Sequence, residues 1–433
     1  MTELAHSLEP VLPLGKVLFA FGVMLAGLRL RRPLWLSVLA GGFVLAMSFG
    51  MSPLQWAGVA AVSLVEPETV FLILIMALIL FFSEVLEKSG QTRRLMQAAT
   101  GFLGDPRFRL AFFPALVGFL PMPGGAVFSA PLVRDMADEL GLARRDTALV
   151  NYWFRHLWEL CWPLYPGIIL ASSLAGVPLA RVIAATSPCI LLCALLGWAF
   201  IMRPAVAHLA GAPQGQRPPR DWRAALREGL PMLIAIGCGL GFEVGMTLFA
   251  PDLPFELGIM AALVLAIVCS LFQNKVGPGF VAGVLADREL YRLVALVVSV
   301  LVFKDVLQAS GAVGQLARQG AGPGALFALT LALPFLVGFI SGITVAFVGA
   351  TVPIILGVLH TVDPAGAQLM PHLTLALFSG FTGVMVSPLH VCFVLSCQFF
   401  GTDLGQAWRR LLAPCALLLA CGVGWFFVLA ALG

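Results

Sequence analysis

The sequence predicts an all-α polytopic membrane protein. It is built as two inverted-topology repeats, each of about five transmembrane helices plus one re-entrant hairpin, with broken helices at the membrane midplane. Three observations carry this expectation. The first is composition: 60% of the 433 residues are hydrophobic and 11% charged, and a water-soluble fold of this size cannot bury so much apolar surface. The second is internal repetition. Phe82-Ser-Glu-Val-Leu-Glu-Lys-Ser-Gly90 returns as Phe303-Lys-Asp-Val-Leu-Gln-Ala-Ser-Gly311, and Ala115-Leu-Val-Gly-Phe-Leu-Pro121 as Phe335-Leu-Val-Gly-Phe-Ile-Ser341. Pro163-Leu-Tyr165 is answered by Pro388-Leu-His390, Pro188-Cys-Ile-Leu-Leu192 by Pro414-Cys-Ala-Leu-Leu418, and Gly197-Trp198 by Gly424-Trp425. The third is the one-sided placement of Lys and Arg.

Apolar windows long enough to span occur at 14–29, 33–50, 69–87, 146–170 and 182–202, then at 229–249, 255–273, 290–309, 372–398 and 411–431. Each approaches the roughly 20 residues that cross a hydrocarbon core. Two further apolar stretches, 108–134 and 325–359, are interrupted near their middles by Pro, Gly or small polar residues and read as the hairpins. Residues 1–203 form the first repeat and 229–433 the second. The linker between them, 204–228, carries Pro218-Pro219 and several Arg.

Net charge is only +4, so the placement of the basic residues matters more than their sum. Arg29, Arg31, Arg32, Lys88, Arg93, Arg94, Arg107, Arg109, Arg134, Arg144, Arg145, the arginines of 203–227, Lys275, Arg288, Arg292, Arg409 and Arg410 all fit one face, taken as cytoplasmic. The opposite loops, 51–68, 250–256 and 359–371, carry Glu66, Glu68, Asp252, Glu256 and Asp363 without a Lys or Arg. This pattern places both termini outside the cytoplasmic (inner) membrane, and an odd number of spans per half inverts the second half. Met1 to Pro13 has no basic residue, so no cleaved signal peptide is expected. Nine cysteines form no CxxC pair or metal-ligand spacing. Cys189 and Cys193 are read as packing residues, and no cofactor is expected.

In hydrocarbon a chain breaks its helix only where protein or a wet cavity satisfies the freed backbone groups. Such breaks are candidate binding sites. The first hairpin turns at Pro121, Met122, Pro123, Gly124 and Gly125, and its returning limb, with Ser129, directs backbone N–H groups and a positive dipole end at the turn. The second turns at Ser341, Gly342 and Thr344, with Thr351 further on. Each hairpin precedes a proline-broken span: Cys161-Trp-Pro-Leu-Tyr-Pro-Gly167 in one half, and Val386-Ser-Pro-Leu-His390, holding Ser387 and His390, in the other. Two tips and two broken helices would surround one midplane cavity. Packing kinks are the alternative.

The first broken span also holds Asn151, Arg155, His156 and Glu159. An unpaired charge near mid-bilayer costs at least about 2.5 kcal/mol. Arg155 and Glu159, four apart, therefore read either as a structural ion pair or as transport groups: Arg155 attracting an anion, Glu159 or His156 exchanging a proton, Asn151 bonding the ligand or capping the span. Glu84, Glu87, Lys88, Lys304 and Asp305 are read as interfacial groups or local salt bridges. His360 and His372 are read as exposed loop residues. No HExxH, GxSxG or paired intramembrane Asp motif points to an enzyme, and nothing points to nucleic acid.

Gly118-Phe-Leu-Pro-Met-Pro-Gly-Gly-Ala-Val-Phe-Ser-Ala-Pro131, Asn151-Tyr-Trp-Phe-Arg-His-Leu-Trp-Glu159 and Pro163-Leu-Tyr-Pro-Gly167 resemble a family of prokaryotic integral membrane proteins catalogued as domain of unknown function 401. That family is grouped with the ion-transporter superfamily of gluconate permeases and divalent-anion/sodium symporters. The resemblance implies a homodimer with a scaffold domain and an elevator-like transport domain that carries a small anion with protons or sodium. The Ser-Asn-Thr hairpin signature of the dicarboxylate symporters is replaced here by Met-Pro-Gly-Gly and Ser-Gly-Ile-Thr. That departure favours proton-coupled transport of a small carboxylate, such as a sugar acid or monocarboxylate. Sodium held by backbone carbonyls with Ser341, Thr344 or Thr351 stays open, as does a passive channel.

Overall fold

The computed structural model describes residues 11–30, 32–103, 105–119, 125–207, 220–249, 253–254, 256–312, 314–315 and 322–432. Their regular structure is entirely helical. In chain order the helices are α1 (Val11–Arg29), α2 (Leu34–Ser48), α3 (Pro53–Ser63), α4 (Pro67–Lys88), α5 (Gln91–Ala99), α6 (Pro106–Val117), α7 (Ala126–Glu139), α8 (Arg144–Arg155), α9 (Pro166–Ala175), α10 (Leu179–Thr186) and α11 (Pro188–Gly197). There follow α12 (Trp222–Phe249), α13 (Glu256–Asn274), α14 (Pro278–Leu285), α15 (Arg288–Ala309), α16 (Pro323–Ser341), α17 (Thr344–Val362), α18 (Leu369–Val386), α19 (Val391–Phe400) and α20 (Leu404–Leu432).

Proline and glycine punctuate the chain. Pro53, Pro67, Pro106, Pro166, Pro188, Pro278 and Pro323 open helices, where a missing N–H costs nothing and a fixed φ helps. Gly176 and Gly401, both at φ 62°, close α9 and α19 in the left-handed conformation.

Eight described helices are long and apolar enough to cross a membrane: Thr69–Lys88, Leu179–Ala205, Trp222–Met246, Glu256–Asn274, Pro323–Ser341, Thr344–Val362, Leu369–Phe400 and Leu404–Leu432. The chain is a multi-pass membrane protein. Outward-facing Leu233, Phe249, Phe272 and Phe427 are the apolar surface that such a protein offers to lipid.

The structure departs from the sequence reading in several places. The short helices α3, α5 and α14 were not anticipated. The limbs of the second predicted hairpin, α16 and α17, are 19 residues each, about 28 Å at 1.5 Å per residue and close to a full bilayer crossing. Those of the first, α6 and α7, are 12 and 14 residues. α12 starts at Trp222, inside the stretch read as the linker, where Asp221 Oδ1 accepts from the Ala224 amide at 2.9 Å; residues 208–219 of that stretch lie outside the described residues.

At the centre lie α17 and α18, with α16 packed along α18 by its one buried face. Every residue of α18 from Pro371 to Val386 is buried, so this helix has no polar face to show. Glycines let the backbones meet: a Cβ on Gly338 would fall 2.3 Å from the Gly380 carbonyl, and one on Gly383 2.2 Å from that of Phe335. His372 is part of this core, 4% exposed, with Nδ1 3.0 Å from Thr330 Oγ1, which corrects its reading as a loop residue. His360 is exposed but lies near the end of α17 rather than in a loop.

Around this centre α2 packs on α15, α4 on α13, α9 on α17 and α19 on α7. A polar patch joins α5 to α12 and α13: Gln91 Oε1 accepts from Ser270 (2.6 Å) and Asn274 (2.8 Å), and Arg94 pairs with Glu228 at 3.0 Å. Lys88 pairs with Glu84 at 2.9 Å and Lys304 with Asp305 at 3.3 Å, the local salt bridges expected, and Lys88 also reaches Asp287, far along the chain, at 2.9 Å.

Candidate functional site

α8 carries its functional side chains on its last turn and a half, all of them buried. Asn151 is fully enclosed. Its amide donates to the Ala126 carbonyl (2.9 Å) and to Ser396 Oγ (3.0 Å), and its Oδ1 accepts from Ser129 (2.6 Å). This one side chain therefore joins α8 to the start of α7 and to α19. Tyr152 donates to the Met385 carbonyl at 2.9 Å, tying α8 to the end of α18.

The helix stops at Arg155, and the chain runs irregularly until Pro166 opens α9. Trp158 holds this detour in place: its ring stacks on Phe119 at 4.4 Å and its Nε1 donates to the Ala115 carbonyl at 2.8 Å. Because the helix ends, Arg155 and Glu159 do not follow each other on one helical face as their spacing suggested. The Arg155 guanidinium instead lies against Gly125, where a Cβ would meet Nη2 at 2.2 Å. The Glu159 carboxylate accepts from the Thr344 hydroxyl at the first residue of α17.

A second break lies between α18 and α19. Ser387 adopts an extended backbone (φ −69°, ψ 124°) before Pro388, as the proline ring requires of the residue ahead of it. His390 then caps α19. His390 Nε2 is 3.1 Å from His156 Nε2, and His156 Nδ1 is 2.6 Å from the Tyr152 carbonyl. A carbonyl only accepts, so Nδ1 of His156 carries the proton and its Nε2 presents a lone pair. The neutral pair therefore holds one proton, on His390, between the two Nε2 atoms.

Glycine again permits the approach. Gly342 ends α16 at φ 63°, and a Cβ there would fall 2.9 Å from the His390 backbone; one on Gly167 would fall 2.6 Å from Thr344 Cγ2. The starts of α7, α9, α17 and α19 are thus gathered around the segment from Arg155 to Glu159.

Of the residues read as a site from sequence, Gly125, Ser129, Asn151, Arg155, His156, Glu159, Gly342, Thr344 and His390 meet here. Pro121, Met122, Pro123 and Gly124 lie outside the described residues. Ser341 Oγ accepts locally from the Ile343 amide (3.3 Å), Ser387 Oγ from the Leu389 amide (3.2 Å), and Thr351 donates back to Phe347 within α17 (2.7 Å). These three serve their own turns and helices. Sequence reasoning passed over Cys392 and Ser396, and named the break holding Tyr165 and Gly167 without singling out either residue. Tyr165 donates to the Gly118 carbonyl at 2.6 Å, and its place opposite His390 in the repeated strings was the available signal.

A family model described as a protein of unknown function, DUF401, matches residues 15–429. The chain belongs to the DUF401 family. No curated protein matches it. In this DUF401 chain the matched span contains every described member of the cluster, so the polar centre lies within the family's common domain.

Proposed function

We propose that this DUF401 protein is a secondary active transporter of a small organic anion, a carboxylate such as a sugar acid or monocarboxylate, coupled to protons and working by elevator-type alternating access. The observation that carries the reading is the gathering of four helix starts, α7, α9, α17 and α19, around Arg155, His156 and Glu159 inside a multi-pass membrane protein. Each helix start presents unpaired N–H groups and about half a positive charge, and together with a guanidinium they favour an anion.

Glu159 supplies the logic of coupling. Ionised, it occupies the Thr344 hydroxyl and adds a negative charge to the place an anion would take. Protonated, it frees that donor, so anion and proton enter together and the charge of the site stays constant. His156, with Nε2 3.9 Å from Glu159 Oε2, is the partner through which the proton leaves.

The same reading makes the two halves inverted repeats. It is supported by the matched order of helices, by left-handed Gly90 and Gly176 answering Gly311 and Gly401, and by the exchanged pairings α2 with α15 and α4 with α13, α9 with α17 and α19 with α7. Membership of the ion-transporter superfamily, homodimeric assembly and residence in the inner membrane with both termini outside belong to the same proposal.

The test is uptake of radiolabelled sugar acids, monocarboxylates and dicarboxylates into proteoliposomes, with pH and sodium gradients imposed in separate arms. Accumulation of a monocarboxylate or sugar acid under the pH gradient is expected. Accumulation under sodium alone would overturn the coupling, and silence from folded protein in both arms would overturn the transport reading.

A further inference from the structure

Cys392 stands two residues beyond His390, on the first turn of α19. Its Sγ and the nearest ring nitrogens of His156 and His390 all lie within 4.8 Å of one another, and all three residues are buried. This is a nitrogen and sulfur donor set closed off from bulk water. We propose that it is a binding site for a soft or borderline divalent metal ion, with Zn2+ the best fit.

Four features support the assignment. The two imidazole nitrogens are 3.1 Å apart, close to the roughly 3.3 Å that separates two ligands of a tetrahedral Zn2+ with Zn–N bonds of about 2.0–2.1 Å. The His156 tautomer is already fixed for metal binding, since its Nδ1–H is held by the Tyr152 carbonyl, the outer-shell arrangement typical of metal-bound histidine. His390 Nδ1 is buried without a well-formed hydrogen bond, and the Gly342 backbone stands beside this residue to receive its proton when Nε2 binds the ion. Finally, Glu159 Oε2 lies 3.9 Å from His156 Nε2, outside the three-residue cluster, and supplies the fourth ligand once its side chain turns from Thr344 toward the ion. On binding, Cys392 loses its thiol proton to solvent and the His390 proton moves from Nε2 to Nδ1. A divalent ion with one thiolate and one carboxylate is then neutral, as a buried site requires.

The ligands come from the end of α8 and the start of α19, so an ion bound here would tie the two halves of the chain together. His156 and Glu159 are also the coupling groups of the transport reading, so a bound ion would arrest that cycle, but metal binding itself is measured without transport. Co2+ is the probe: added to the purified full-length protein in lipid nanodiscs, it gives a near-ultraviolet thiolate-to-cobalt band and intense visible bands when four-coordinate. One Co2+ per chain with both signals, displaced by Zn2+, is expected. The thiolate band should vanish in Cys392→Ser while weaker binding remains. Affinity should fall at least about tenfold in His390→Ala, since even an outer-shell partner is worth roughly 10–100-fold. Cys189→Ser, which removes one of the two other cysteines in contact, at 3.7 Å, should leave the spectrum unchanged. No stoichiometric Co2+ binding by folded wild-type protein, or a thiolate band that persists in Cys392→Ser and disappears in Cys189→Ser, would overturn the proposal.

Discussion

Asn151 shows how much one buried side chain is asked to do. Its three hydrogen bonds, to Ser129, the Ala126 carbonyl and Ser396, join three helices from both halves of the chain. Truncation leaves buried donors and acceptors unpaired, at about 1–3 kcal/mol. Asn151→Ala is therefore expected to lower the thermal midpoint of the detergent-solubilised protein clearly, and Ser396→Ala, which removes one bond, to lower it less. Gly125 makes a different prediction. A Cβ there would displace the Arg155 guanidinium, so Gly125→Ala should raise the KM for the transported anion in a protein that still folds, as measured by initial uptake rates.

At this scale the polar string from Asn151 to Glu159 was legible in the sequence because such residues are costly in an apolar span. Partners were not legible: the spacing of Arg155 and Glu159 promised a pair on one helical face, and Thr344, far away in sequence, took the carboxylate. His372 misled for the same reason, since its partner Thr330 lies on another helix.

Helices and their breaks were read from proline and glycine, and the central ones were found where Pro166, Gly342 and Pro388 announced them. The first break begins earlier than the prolines indicate, at His156, because Trp158 is engaged by Phe119 and the Ala115 carbonyl rather than continuing α8. Helices α3, α5 and α14 are 11, 9 and 8 residues long, too short for a search built on spanning windows. Close packing of α16 on α18 is where the fold should be least tolerant. In Gly338→Ala the new methyl would meet the Gly380 carbonyl at 2.3 Å, backbone against backbone with no rotamer to yield. A loss of about 1–3 kcal/mol or more is expected. Gly237→Ala, where nothing lies within 4 Å, should be neutral or stabilising. Thermal unfolding of the two variants side by side checks the contrast.

Over the whole molecule, composition alone announced a multi-pass membrane protein, which the eight long apolar helices bear out. The register of the two halves against each other was beyond periodicity, because it is set by contacts such as His156 with His390 that join distant segments. The charge pattern makes a whole-molecule prediction. In a background without native cysteines, Asp363→Cys should react with an impermeant thiol reagent from outside the cell, and Arg220→Cys only after the cytoplasmic face is opened.

The central claim is that the junction of the two halves is a transport site whose coupling charge is Glu159. Its most direct test compares wild type and Glu159→Gln in proteoliposomes, using whichever anion the panel identifies. Gln keeps the shape and an acceptor for Thr344 but takes up no proton. The account predicts that Glu159→Gln loses accumulation driven by the pH gradient while keeping exchange of labelled for unlabelled anion. Accumulation at the wild-type level, or equal loss of accumulation and exchange from a protein shown to be folded, would contradict it.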